Sequence, residues 1–220
     1  MRFNAFDQGD DEPRAATGNY RVLLTSDIDR RSLAVALKEP YAGVIEWSAE
    51  GEPVGDWAAV AMSAGGFYLS LTTGTGFGLQ IAALVSDELT ERGVVSVEQR
   101  SVVELCLQEA VANAIVHGNL GIASTAKDHP EGYRIFSQLV NERLNDPVRR
   151  RRRIDIFTRW SGRVLDISVV DQGAGFDTSM IPTEIDSANR SGRGFVFMRA
   201  LAGRVAVTDG GRCTSLRFAL

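Results

Sequence analysis

The sequence predicts an α+β fold in which helices cover one face of a mixed β-sheet. Short segments rich in Val, Ile and Leu are bounded by turn residues and cluster late in the chain, after residue 153, which is typical of strands. Longer segments carry apolar side chains at helical spacing and are interleaved unevenly with the strands, not in a regular βαβ series. We therefore expect a two-layer α/β sandwich, with one layer of strands and one of helices.

The N-terminal third is expected to differ from the rest of the chain. Residues 1–18 are polar and acidic, which predicts a mobile leader. Residues 19–66 predict a small βαβ-like segment whose beginning weakly resembles a response-regulator receiver domain, so that a remnant or an adaptor is expected. Its elements are a strand at 21–25, a helix at 29–37 capped by Ser26 or Asp27, and a strand at 43–47.

Residues 67–220 are expected to form the main domain. The predicted order is a strand at 67–71, a Gly/Thr-rich turn, helices at 79–92, 97–117 and 133–144, strands at 154–158 and 164–170, a helix at 195–201, and strands at 204–208 and 214–218. Gly93 and Gly118 are positioned to end the two helices that precede them.

Charge and composition exclude several classes of function. With 24 Lys+Arg against 28 Asp+Glu, the net charge of −4 argues against a strongly basic nucleic-acid binder. The five arginines at 149–153 are expected to form a solvated edge or to pair with carboxylates. The two cysteines, Cys106 and Cys213, have no CxxC spacing, so that neither a disulfide framework nor a zinc site is expected.

Location is expected to be the cytoplasm, without contact to a membrane. The first twenty residues lack the basic and then apolar pattern of a signal peptide. Residues 57–86 carry no charge but are interrupted by glycines and threonines, so that the continuous apolar run of a membrane span is missing.

The glycine cluster at 74–78 lies between a predicted strand and a predicted helix, where a dinucleotide-binding fingerprint would lie. The third glycine of that fingerprint is missing, because Leu79 stands next in the chain. A P-loop is excluded, because neither Lys38 nor Lys127 follows a glycine. We therefore expect a flexible turn here, and any phosphate must be bound in another way.

The first chemically informative motif lies on the helix at 97–117. Glu109, Asn113 and, less closely, His117 fall on one helical face about one turn apart. Carboxylate and amide oxygens suit Mg²⁺, which also keeps water and phosphate ligands. The alternative is an exposed polar face, and for His117 a helix-end role beside Gly118 is favoured over catalysis.

Two further motifs follow strands or precede a helix. Asp171, Gly173 and Gly175 end a predicted strand, where the carboxylate could accept a hydrogen bond from an amine such as adenine N6 and the glycines could let the backbone approach a base. Gly192 and Gly194 precede a helix whose free N–H groups would form an anion site. Taken singly, each of these motifs is equally consistent with an ordinary turn.

Together and in this order, the three motifs resemble the GHKL superfamily of ATPases and kinases, which share the Bergerat ATP-binding fold. The resemblance covers residues 67–220 and is closest to the anti-sigma-factor serine kinases and related regulatory ATPase domains. It is carried by Leu-Gln-Glu-Ala-Val-Ala-Asn-Ala followed by His-Gly, by the DxGxG box at 171–175, by a short lid at 177–191, and by Gly-Arg-Gly-Phe-Val-Phe-Met-Arg-Ala-Leu.

The resemblance implies a role for each matching residue. Asn113 would coordinate Mg²⁺, Glu109 would act as general base or orient a water, and Asp171 would bind adenine N6. Gly173 and Gly175 would shape the base pocket, and Thr214 would lie beside adenine on the last strand. The lid residue Arg190 would reach the γ-phosphate. The N–H groups of Gly192, Arg193 and Gly194 would bind the phosphates.

The chain also departs from the compact anti-sigma-factor kinases. Residues 119–148 are inserted, and the exposed face of the helix predicted there is a candidate partner surface; residues 1–66 have no counterpart. The resemblance implies a serine/threonine kinase that phosphorylates a protein antagonist and sequesters a sigma factor or another regulator, as a possible homodimer. The alternatives are a non-catalytic ATP-dependent binding module, and the ATP-binding half of a histidine kinase acting on a separate histidine protein.

Overall fold

The computed structural model describes residues 21–26, 28–38, 41–47, 66–124, 131–181 and 193–220. The strands are β1 (Arg21–Thr25), β2 (Tyr41–Glu46), β3 (Gly66–Thr72), β4 (Arg153–Ser161), β5 (Val164–Asp171), β6 (Arg204–Thr208) and β7 (Cys213–Ala219). The helices are α1 (Arg30–Ala36), α2 (Thr73–Gly78), α3 (Ile81–Glu91), α4 (Val97–Ala112), α5 (Gly132–Asn145), α6 (Pro147–Arg151) and α7 (Arg193–Leu201). A π-helix (Asn113–Asn119) continues α4, and 3₁₀ turns lie at Thr178–Met180 and Asp209–Gly211.

The strands form one seven-stranded mixed sheet in the order β1-β2-β3-β4-β5-β7-β6. The pairs β1–β2 and β2–β3 are parallel, whereas β3–β4, β4–β5, β5–β7 and β6–β7 are antiparallel. The predicted α+β class is therefore confirmed. The predicted βαβ-like segment is also present, because β1, α1 and β2 form a parallel unit that extends the sheet from β3.

The main core lies between one face of the sheet and the helices. Alternate strand residues such as Leu69, Ile156 and Ile167 point into it and are fully buried. They share one cluster with buried residues of the helices, including Leu107 of α4 and Met198 of α7. The helices that contribute to this cluster therefore lie on one face of the sheet, which confirms the two-layer arrangement.

The inserted helix α5 uses one face for this core. Val140 is buried, and Phe136, Leu139 and Leu144 pack against the same cluster at helical spacing. Tyr133, in the first turn of α5, is exposed. The other side of α5 stays a predicted partner surface.

No helix of the described ranges combines the length and the apolar character needed to cross a bilayer.

Two caps differ from the sequence-based expectation. Helix α1 is capped by Asp29, whose carboxylate accepts a hydrogen bond from Ser32 N–H while the Ser32 hydroxyl accepts one from Asp29 N–H, so that neither Ser26 nor Asp27 is the cap. The Gly/Thr-rich segment after β3 is the short helix α2 rather than an irregular turn, because the Thr72 hydroxyl accepts a hydrogen bond from Thr75 N–H.

The helix end and the arginine run also differ from expectation. Gly118 does not end the long helix, since the chain continues as a π-helix to Asn119. The run at 149–153 is not one solvated edge, because its first part lies in α6, capped by Asp146, and Arg153 begins β4 with only 2% of its surface exposed. The other expectation, pairing with a carboxylate, is confirmed at Arg149, whose Nε lies 3.2 Å from Asp146 Oδ2.

Candidate functional site

The first and third sequence motifs meet at the start of α7. Glu109 in α4 and Asn113, where α4 passes into the π-helix, are both half-buried and lie one turn apart. A Cβ atom at Gly194 would contact the Glu109 carboxylate and lie 3.8 Å from Asn113 Nδ2. The lack of a side chain at position 194 therefore lets the first turn of α7 approach the polar face of α4.

His117 does not join this group. Its ring is exposed, and Nδ1 donates a hydrogen bond to the carbonyl oxygen of Ile122 at 2.6 Å. Since a carbonyl oxygen can only accept, Nδ1 carries the proton. The ring thus ties the helix end to the following loop, as favoured by the sequence.

Asp171 lies at the end of β5 and is only 9% exposed. Gly173 N–H donates to its Oδ1 at 2.7 Å, and the described residues provide no other hydrogen bond to this carboxylate. Gly118 packs directly against it, because a Cβ atom at position 118 would lie 2.5 and 2.7 Å from the two carboxylate oxygens. Only glycine leaves room for the carboxylate here.

The environment of Asp171 shifts its titration. Burial raises the pKa of Asp171 to about 6, a rise opposed by the Gly173 hydrogen bond and by the positive charges of Arg212 and Arg152. The carboxylate is therefore ionised at neutral pH. A buried, ionised carboxylate with lone pairs left over is a strong acceptor for the amine of a bound base.

Thr214 and the glycines of the second motif surround Asp171. Thr214 is buried and pairs with Val169 in the β5–β7 ladder, so that it lies on the same face of the sheet as Asp171. Gly175 has φ +74°, a conformation that favours glycine. The next amide, Phe176 N–H, donates to the carbonyl oxygen of Gly210 at 2.9 Å and fastens this loop to the turn before β7.

The structure thus brings the predicted site residues together in two groups. One group contains Glu109, Asn113, Arg193 and Gly194, and the other contains Asp171, Gly173, Gly175 and Thr214. The rings of Phe176 and Phe195 lie 6.0 Å apart between centroids and connect the second motif to α7. Arg190 and Gly192 lie outside the described residues.

Sequence reasoning missed Asn119, which is fully buried at the end of the π-helix. Its Nδ2 donates to Thr73 Oγ1 and to the carbonyl oxygen of Arg153, both at 2.8 Å, and its Oδ1 accepts from Gln172 N–H at 2.7 Å. These contacts join α2, β4 and the residue that follows Asp171. No local sequence pattern predicts these contacts, because the three partners are far from Asn119 in the sequence.

The donor set around Asn113 fits a magnesium ion that arrives with phosphate. Within the described ranges, no group of three or more His, Cys, Asp or Glu side chains could hold a metal by itself. Asn113 and Glu109 provide oxygen atoms, which Mg²⁺ prefers, and the ion takes its other ligands from water and phosphate. The residues present therefore fit a metal ion that takes part of its ligands from water and phosphate.

Comparison with known families agrees with this geometry. The model of the histidine kinase-like ATPase domain matches residues 78–219, a range that begins at the end of α2, ends in β7 and includes all three motifs. No curated protein matches the chain. Since the match covers more than half of the sequence, the chain belongs to the histidine kinase-like ATPase domain family of the GHKL superfamily, whose domain binds ATP.

Proposed function

We propose that the chain is a regulatory protein kinase of the anti-sigma-factor type, which transfers the γ-phosphate of ATP to a serine or threonine of a protein antagonist. The supporting observation is the approach of the α7 start to Glu109 and Asn113. This approach brings the positive end of a helix, an amide group and a carboxylate to one place. These are the groups that a phosphoryl transfer needs for positioning, charge neutralisation and proton removal.

The two groups of site residues divide the binding of ATP between them. Asp171 would accept a hydrogen bond from adenine N6, with Thr214 beside it and the backbone of Gly173 and Gly175 forming the wall of the base pocket. The phosphates would extend toward α7, where the N–H groups of Gly192, Arg193 and Gly194 would bind them and Arg190 would reach the γ-phosphate. The amide oxygen of Asn113 would hold Mg²⁺, which supplies charge neutralisation on the phosphates.

In this proposal Glu109 handles the proton of the reaction. The hydroxyl oxygen of the acceptor serine or threonine would form a bond to the γ-phosphorus, and the bond from that phosphorus to the β,γ-bridging oxygen would break. ADP would leave with the electron pair of that bond. The hydroxyl proton would pass to the Glu109 carboxylate, which acts as general base.

Glu109→Gln tests this assignment against a non-catalytic module. We expect the variant to bind ATP and Mg²⁺ as tightly as the wild type, measured by calorimetry, because the side chain keeps its size. We expect conversion of ATP to ADP, measured by chromatography, to fall by roughly 100-fold or more, since a general base contributes about that factor. Equal turnover by the two proteins would contradict catalysis by Glu109 and favour the binding module.

The stability of the product distinguishes the kinase classes. We expect γ-phosphate label on the partner protein to survive acid, as phosphoserine and phosphothreonine do. Acid-labile label would instead indicate a phosphohistidine and the ATP-binding half of a histidine kinase system. Failure of the folded wild type to bind ATP would overturn both forms of the proposal.

A further inference from the structure

We propose that Glu46, at the end of β2, is a positioning residue of the nucleotide site. It holds α2 in place, α2 holds Asn119 through Thr73, and Asn119 holds the strand end that carries Asp171. The inference rests on the adenine-binding role proposed for Asp171. It concerns a part of the chain that lies outside the family match, which begins at residue 78.

The first contact in this series joins β2 to α2. The half-buried carboxylate of Glu46 accepts hydrogen bonds from Thr72 N–H at 2.5 Å and from the Thr75 hydroxyl at 2.6 Å. The Thr72 hydroxyl donates to the same carboxylate at 3.2 Å. Three donors at the start of a six-residue helix are thereby satisfied by one side chain of the N-terminal segment.

The second contact joins α2 to the π-helix. Thr73 is fully buried, and its N–H and its hydroxyl both donate to the carbonyl oxygen of Arg152, at 2.7 and 2.8 Å. The same hydroxyl oxygen accepts from Asn119 Nδ2 at 2.8 Å. A shift of α2 would therefore break a buried hydrogen bond, which is costly because no water can replace it.

The third contact reaches the residue after Asp171. Asn119 Oδ1 accepts from Gln172 N–H at 2.7 Å, while Gln172 Oε1 accepts from Arg153 N–H at 2.6 Å. Both protons of the Asn119 amide are used, one by Thr73 and one by the Arg153 carbonyl. Asn119 thus cannot move without changing the position of the Asp171 loop.

A second connection reaches Asn119 from the main chain of Glu46. The guanidinium of Arg153 donates through Nη2 to the carbonyl oxygen of Glu46 at 2.9 Å and through Nε to Ser70 Oγ at 2.7 Å. The carbonyl oxygen of Arg153 is the one that accepts from Asn119. The side chain of Glu46 therefore binds the residues on either side of Thr73, namely Thr72 and Thr75, and its carbonyl oxygen binds Arg153 directly.

The experiment compares Glu46→Ala with Glu91→Ala in the full chain. Glu91 is the matched control, since its carboxylate pairs with Lys38 Nζ at 2.9 Å and also joins the N-terminal segment to the main domain, but with its side chain 59% exposed. Two quantities are measured: the hydrogen exchange of the Gln172 and Gly173 amides without nucleotide, and the calorimetric affinity for ATP with Mg²⁺.

For Glu46→Ala we expect faster exchange at Gln172 and Gly173 and an ATP affinity roughly tenfold weaker, which is the effect of losing one buried hydrogen-bonded contact. For Glu91→Ala we expect wild-type values of both the exchange rates and the ATP affinity. Thr73→Val should reproduce the Glu46→Ala result, because it removes the hydroxyl at nearly constant volume. Thr73→Ser, which keeps the hydroxyl, should restore the wild-type values.

The two readouts separate the inference from the proposed function. Faster exchange in Glu46→Ala, with a wild type that does not bind ATP, would support positioning by Glu46 and overturn the function. Unchanged exchange at Gln172 and Gly173 would overturn the positioning role whatever the affinity. Should Glu46→Ala fail to fold, the same two measurements on Glu46→Gln and Thr73→Val test the positioning role instead.

Discussion

The adenine end and the phosphate end of the site are built in different ways. At the adenine end, Asp171 is held by Gly173 and lies against Gly118, above the hydrogen bonds of Asn119. At the phosphate end, neither the Glu109 nor the Asn113 side chain hydrogen-bonds another residue in the described part of the chain. Under the proposed function, base recognition would be preorganised, whereas Glu109 and Asn113 would acquire their partners from the nucleotide and its metal.

Asp171→Asn should have the largest effect on ATP affinity, and it should lower that affinity while raising the stability of the folded protein. We expect ATP affinity to fall by roughly 100-fold or more, because the one amide oxygen left in Asn would accept from Gly173 N–H and an NH₂ donor would then face the amine of the base. Calorimetry with ATP and with adenosine should give the same loss. An affinity for adenosine that stays at the wild-type value would show that the base does not bind at Asp171.

The same variant should be more stable than the wild type without nucleotide. The folded-state pKa of Asp171, about 6, lies above the ordinary value of 3.8, so that ionisation is disfavoured by folding. This penalty is absent below about pH 4 and complete above about pH 6. Denaturant unfolding at pH 7.5 should therefore show a gain of about 1–2 kcal/mol, and at pH 3.5 the gain should vanish.

Asn113→Ala should affect the phosphate end alone. We expect affinity for ATP in Mg²⁺ to fall roughly tenfold, to the value that the wild type shows with a chelator, because an oxygen ligand of the metal is lost. Affinity for adenosine should not change. A parallel loss of adenosine binding would contradict the division of the site into two independent ends.

Gly118→Ala should lower both the folding stability and the ATP affinity, because the added methyl group has no room beside Asp171. The added methyl group would press on the Asp171 carboxylate, which predicts a loss of about 1–3 kcal/mol in unfolding free energy and several-fold weaker ATP binding. Gly78→Ala is the control, since a Cβ atom there meets no atom within 4 Å. Equal behaviour of the two variants would show that position 118 tolerates a side chain.

Acidification should produce the smallest change in nucleotide affinity, and this change should come only from the proposed adenine end of the site. The pKa of Asp171, about 6, predicts that adenosine affinity falls a few-fold between pH 7 and pH 5, as the carboxylate loses the charge that strengthens its hydrogen bonds. Calorimetry at several pH values measures the change. In Asp171→Asn the residual affinity should be independent of pH over this range.

The sequence predicts those parts of the site that depend on short-range spacing. The pair Glu109 and Asn113 follows from helical periodicity, and the mixed sheet follows from the order of apolar segments. Arg153 shows the limit, because its buried guanidinium is satisfied by Ser70 and Glu46, which lie 83 and 107 residues away in the chain. Asn119 was missed for the same reason. The cap of α2, Thr72, is local, but the Glu46 carboxylate that binds Thr72 and Thr75 is brought near only by the sheet.

The strand β3 links the family domain to the segment that precedes it. It pairs with β4 from Gly66 to Thr72 and buries Leu69 and Leu71, yet it lies before residue 78, where the family match begins. A chain shortened to residues 78–219 would therefore leave β4 as an uncovered edge with apolar side chains exposed, and it should aggregate when expressed. We therefore expect the smallest independently folding unit to be larger than the matched range 78–219, so that deletions meant to isolate the ATPase domain should keep β3.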